Sequence, residues 1–168
     1  INETRYAFMD EGWATTLEYL IGIDENGEDA AKEFYKNFRV KKWINDPSAE
    51  QDQPVITMST QVSGAGYGNN SYVKASLSYL ALKDYLGDEL FKKALHHYMD
   101  NWNGKHPVPW DYFNSMNTGS GKNLNWFFNN WFFTNHYLDL AVKSVSADNK
   151  VITIENIGGF AIPFDVII

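Results

Sequence analysis

The sequence predicts a mainly α-helical fold that ends in a short antiparallel β segment. Three observations carry this expectation. Apolar residues recur at three- and four-residue spacing through most of residues 8–133. Glycine and proline clusters cut that pattern into helix-length pieces, and beyond residue 135 the period changes to alternation.

The chain has 168 residues, enough for one domain with a real core or for part of a larger one. Its net charge of −7 argues against a nucleic-acid partner or an anionic membrane surface. No apolar run approaches the length of a bilayer span, so no membrane partner is expected. Cysteine is absent, which excludes a disulfide framework and thiol chemistry and leaves the compartment open between cytoplasm and export. The chain opens on Ile1 and closes inside an apolar strand pattern, so an excised piece of a longer protein is expected.

The first helix is expected to run from Asp10, a plausible N-cap, to about Ile23, with Trp13, Leu17, Leu20 and Ile21 on its apolar side and Gly27 as its stop. A second helix over residues 28–43 carries Phe34 and Phe38, with Lys41 and Lys42 near its end, and Asn45-Asp46-Pro47-Ser48 terminates it. Pro54 to Met58 reads as a short extended segment. The glycine-rich stretch at residues 63–70 reads as a flexible loop carrying a functional tyrosine; it lacks the spacing of a phosphate loop. Ser71 then caps a helix over residues 72–86 whose apolar residues occupy nearly every face, the mark of a buried helix.

A further helix spans residues 89–102. It carries His96 and His97, which diverge by one residue step and cannot chelate one ion together. Lys105-His106-Pro107-Val108-Pro109 is an extended connector to a short helix over residues 110–116, and residues 117–121 read as a loop. The aromatic run from Trp126 to Phe133 has helical spacing and reads as core. The domain boundary is expected near residue 135: a helical part over 1–135, then over 136–168 the first strands of a truncated β-domain, at 137–145, 151–154 and 164–168.

The chemistry concentrates at the first helix. Glu11, Thr15 and Glu18 fall at i, i+4 and i+7, so all three point the same way. Such a face is either a solvated stripe or one wall of a metal site.

Met9-Asp10-Glu11-Gly12-Trp13-Ala14-Thr15 resembles the glutamate segment of zinc aminopeptidases of the aminopeptidase-N family, which are gluzincin metallopeptidases. Tyr72-Val73-Lys74-Ala75 resembles the Tyr-x-Lys-Gly/Ala motif of the same family, and Tyr67 stands five residues before it, where some members carry a further tyrosine. The resemblance covers the chain to about residue 140 and implies the helical C-terminal subdomain of a thermolysin-like catalytic domain. It also implies Glu11 as a zinc ligand and Tyr72 as the residue that stabilises the tetrahedral intermediate. A phenol suits that task, because it donates a hydrogen bond to a developing oxyanion without bringing a competing charge. Thr15 and Glu18 are expected to orient a histidine ligand of the metal, and Tyr67 to stand on the substrate side.

The family's His-Glu-x-x-His occurs nowhere in the chain. The expected parent is an aminopeptidase that uses metal-activated water on peptide substrates, with zinc bound in the intact parent and none stably bound to this piece. The piece alone is expected to be inactive and to self-associate. The alternatives are a non-catalytic helical interaction module, in which Glu11 and Tyr72 are structural, and an inactive relative of the family.

Overall fold

In the computed structural model, which describes residues 2–41, 52–62, 64–148 and 150–167, the opening helix α1 spans Phe8–Asn26. It therefore starts ahead of Asp10, which lies in the first turn beside Glu11 and is not the cap. The reason is tertiary. Phe8 and Met9 are buried and pull the first turn into the core, while the Ala7 N–H finds its acceptor in the Ser59 hydroxyl, 2.9 Å away. Asp10 and Glu11 still favour the positive end of the helix dipole. At the other end Gly27 takes φ +85°, open to glycine and strained for other residues, and its N–H closes on the Ile23 carbonyl.

Helix α2, Glu28–Tyr35, continues into a π-helical turn, Lys36–Val40. It buries Ala31 and Tyr35 and leaves Phe34 and Phe38 exposed. Lys42, Trp43 and the expected stop at 45–48 lie outside the described residues. Pro54 to Met58 is turn and not strand. The Thr57 N–H returns to the Pro54 carbonyl, and the Ile56 N–H is taken by the Phe132 carbonyl.

The glycine-rich stretch is helix as well. Helix α3, Ala65–Gly68, runs into a π-helical turn, Asn69–Lys74, and then into α4, Ala75–Leu86. Ser71 is thus a buried residue inside a helix, not its cap. Glycine is tolerated here because the segment is fastened from outside: Lys74 Nζ lies 2.5 Å from the Asp52 carboxylate, and the Asn70 amide donates to the Pro54 carbonyl at 3.2 Å. Ser63 lies outside the described residues.

Helices α5, Asp88–Trp102, and α6, Pro109–Ser120, form a packed pair. Pro109 stands at the first turn of α6, and the Asp111 carboxylate accepts the Val108 N–H at 2.8 Å. The helix runs on through the expected loop at 117–120 and stops only at Gly121, φ +67°. Gly119 stays helical because it is a contact point. A Cβ there would stand 2.7 Å from the Ala94 Cα of α5.

Helix α7, Asn125–Phe132, lays Phe127, Phe128 and Phe132 into the core, while Trp126 stays partly exposed. Tyr112 sits at the centre of that core, its ring within about 6 Å of the rings of Trp13, Tyr79, Tyr98, Phe113 and Phe128. Among the described residues no helix is long and apolar enough to cross a membrane.

The chain divides into two compact units, Ile1–Thr134 and Asn135–Ile168. In the second, β1, Leu140–Val145, pairs antiparallel with β2, Ile152–Asn156, with a register irregularity between Val142 and Ser144. Gly158 is obligatory beside this hairpin, because a Cβ would fall 2.0 Å from the Tyr137 carbonyl oxygen. The third expected strand does not form over residues 164–167, and Ile168 lies outside the described residues. Alternating apolar residues make a strand only when a neighbour takes their backbone hydrogen bonds, and neither β1 nor β2 pairs with this segment.

Candidate active site

Glu11 and Tyr72 are far apart in sequence, and one close helix crossing brings them together. α1 packs on α4 and on the π-helical turn before it. At the crossing Gly12 faces Ala75: a Cβ on Gly12 would lie 2.6 Å from the Ala75 Cβ and 3.0 Å from the Tyr79 ring. The glycine of Glu-Gly-Trp and the alanine of Tyr-Val-Lys-Ala are therefore the two halves of one contact.

Trp13 stacks on Tyr79 with centroids 4.2 Å apart, and the Tyr79 hydroxyl donates to the Phe8 carbonyl at 3.1 Å. The Thr16 hydroxyl bonds the Gly12 carbonyl at 2.7 Å and lies 3.2 Å from Ser76 Oγ, which also receives the Tyr35 hydroxyl at 2.9 Å. These buried hydroxyls lock α1, α2 and α4 in register. The only sequence signal for Thr16, Ser76 and Tyr35 is an apolar helix face broken by Ser and Thr.

Beside the crossing the half-buried Tyr72 faces the Glu11 carboxylate. Its pKa is raised, first by burial, then by the bond to Glu11 and the charge of Glu11, with Tyr67 adding to the rise; the Arg39 guanidinium opposes it. Tyr67 falls within electrostatic reach because of the π-helical turn between them. Its i→i+5 hydrogen bonding places residues five apart one above the other, which an ordinary α-helix does not.

The other two expected residues behave differently. Thr15, on the Glu11 face, is 2% exposed and sealed into the α1 packing. Glu18 stays on the surface, and both Nε and Nη2 of Arg39 donate to its Oε2, at 3.0 and 2.7 Å. The structure thus brings Glu11, Tyr67 and Tyr72 together, buries Thr15, and gives Glu18 to Arg39. The Arg39 position has no sequence signal, since it depends on how α2 folds back on α1.

Among the described residues no three His, Cys, Asp or Glu side chains group closely enough to hold an ion. An apolar groove of about 850 Å³ lies along another face of α1, lined by Trp13, Leu17, Leu95, Tyr98, Met99 and Trp102 among others. It includes neither Glu11 nor Tyr72, so cavity size does not mark the chemistry here.

Residues 4–131 match the model of the peptidase family M1 domain. The chain belongs to peptidase family M1. No curated protein matches it. The M1 match covers Glu11, Tyr67, Tyr72 and the whole Gly12–Ala75 crossing, and it ends ahead of the β hairpin.

Proposed function

We propose that this chain is part of a zinc aminopeptidase of family M1, in which Glu11 is a metal ligand and Tyr72 stabilises the oxyanion. The observation that supports this most is the placement of the Tyr72 phenol beside the Glu11 carboxylate, next to a crossing where a Cβ on Gly12 would stand 2.6 Å from the Ala75 Cβ. The remaining ligands would be the two histidines of a His-Glu-x-x-His helix that precedes Glu11 in the full-length protein. Zinc, when bound, supplies a Lewis acid and lowers the pKa of water.

The residues of this chain do the rest. Glu11 holds one corner of the metal from the rigid first turn of α1. Tyr72, standing beside Glu11, donates its hydroxyl to the peptide oxygen as that oxygen gains charge, and no solvent has to reorganise around a preset donor. Tyr67, partly exposed at the mouth of the α3 turn, lines the substrate side. The acidic surface and the substrate class of the family agree with a peptide carrying a free amino terminus. The 168-residue chain by itself would neither hold zinc in one-to-one amount nor cleave peptides. The apolar residues exposed on the hairpin, Val142, Val145 and Val151, would drive its self-association.

Tyr72→Phe in the full-length enzyme tests the assignment. Loss of one oxyanion donor should lower kcat by about 10²–10³ with KM and melting temperature nearly unchanged. Turnover within threefold of wild type removes Tyr72 from the active site.

A further inference from the structure

Tyr72 has a second partner besides Glu11. The Arg39 guanidinium lies over its ring, 5.9 Å from the centroid, on the edge of cation–π range. Arg39 does not reach that place by chance of a mobile side chain. It is only partly exposed, and two of its N–H groups converge on one oxygen of Glu18. A guanidinium is flat and stiff, so two donors fastened at one edge fix its plane.

The backbone prepares the same encounter. Arg39 belongs to the π-helical turn Lys36–Val40, Tyr72 belongs to the π-helical turn Asn69–Lys74, and these two turns pack against each other. Wide turns of this kind are uncommon and re-aim the side chains they carry. Here they aim a cation at a phenol.

We infer that Arg39 is a positioning residue for Tyr72: Glu18 clamps its guanidinium over the phenol ring, and the pair sets the direction in which the Tyr72 hydroxyl points. The inference rests on the reading of Tyr72 as the oxyanion donor. It also gives Glu18 a definite role. Glu18 orients Arg39, not a metal-binding histidine, and its carboxylate cancels the arginine charge, so that what reaches Tyr72 is orientation more than field. Glu11 lies beside the phenol and Arg39 lies over its face. A fastened cation over one face of the ring limits how far the phenol can swing.

Arg39→Gln, Glu18→Gln, Tyr72→Phe and the double variant Arg39→Gln/Tyr72→Phe in the full-length enzyme test this. Arg39→Gln should lower kcat about tenfold with KM within twofold, because a small misplacement of a catalytic group costs rate and not binding. Glu18→Gln, which leaves Arg39 in place but unclamped, should give the same direction of change. In the Tyr72→Phe background Arg39→Gln should cost nothing more, since the residue it positions has lost its hydroxyl. A crystal structure of Arg39→Gln should show the phenol displaced from its wild-type place with Gly12 and Ala75 unmoved.

Arg39→Gln turnover within 1.5-fold of wild type, or an equal loss in the Tyr72→Phe background, overturns the positioning role while a slow Tyr72→Phe leaves the oxyanion assignment standing. Tyr72→Phe turnover within threefold of wild type overturns both. Melting temperatures of each variant separate a folding defect from these outcomes, and Glu18→Gln, a surface change, carries the test if Arg39→Gln does not fold.

Discussion

Two helix crossings in this molecule use the same residue pair, glycine against alanine, and serve different ends. At Gly12 and Ala75 the neighbours are hydroxyls: Thr16, Ser76, Tyr35 and Tyr79 all make directional bonds within a turn or two. At Gly119 and Ala94 the surrounding helices contribute apolar rings and Met116 to the core. Apolar packing asks only that volume be filled and accepts small rotations. Hydrogen bonds do not, because they weaken steeply off-angle. The crossing that carries Glu11 and Tyr72 is the one built from directional contacts.

The sharpest way to break the comparison is to add the same methyl at each site. In Gly119→Ala the new Cβ meets the Ala94 backbone at 2.7 Å, and backbone cannot step aside. Overpacking should cost about 2 kcal/mol net, even after about 1 kcal/mol of helix propensity is gained, with kcat unchanged in the folded fraction. Gly12→Ala meets the Ala75 Cβ at 2.6 Å, an atom fixed to the α4 backbone, so its loss of stability should be similar, about 2 kcal/mol. Its kcat should fall, because the helices that carry Glu11 and Tyr72 spread. Ala75→Gly should restore turnover to Gly12→Ala and should do nothing for Gly119→Ala. Urea midpoints and turnover of the four proteins check both halves.

Two fully buried tyrosines sharpen the same contrast at smaller scale. The Tyr79 hydroxyl bonds the Phe8 carbonyl beside the site, whereas the Tyr112 hydroxyl, in the apolar core, has no hydrogen-bond partner among the described residues. Tyr79→Phe should therefore cost about 1 kcal/mol, while Tyr112→Phe should leave stability unchanged or raise it by up to about 1 kcal/mol. A larger loss for Tyr112→Phe than for Tyr79→Phe by thermal unfolding would show that the core also relies on directed bonds.

The pH dependence follows from the same rings. Burial raises the pKa of Tyr79 and Tyr112 well above the ordinary range and pushes Tyr98 up to about 12. Their protonated forms belong to the folded state, and unfolded tyrosine ionises near pH 10. Their contribution to stability is thus complete below about pH 10 and is lost above it, by about 1.4 kcal/mol per pH unit for each tyrosine that must stay protonated. Equilibrium unfolding from pH 8 to 11.5 should show this decline, and Tyr112→Phe should reduce its slope by one proton.

By itself the sequence determined the helices, because a 3.6-residue apolar period and the Glu11–Thr15–Glu18 line are local properties of the chain. It likewise determined the stop at Gly27, where one residue's backbone freedom decides the outcome, whereas the helix expected over 110–116 runs from Pro109 to Ser120. The tertiary structure alone decided the rest. Gly12 and Gly119 read as ordinary or loop-forming glycines until the alanine across from each is known. The glycine-rich run at 64–70 is helix because Lys74 and Asn70 tie it to the segment at 52–54. Residues 164–167 fail to be a strand because strand pairing needs a second chain segment. Arg39 reaches Tyr72 only after α2 has folded back along α1. In each case local propensity is worth about 1 kcal/mol per residue or less, and a close contact or a buried charge pair outweighs it.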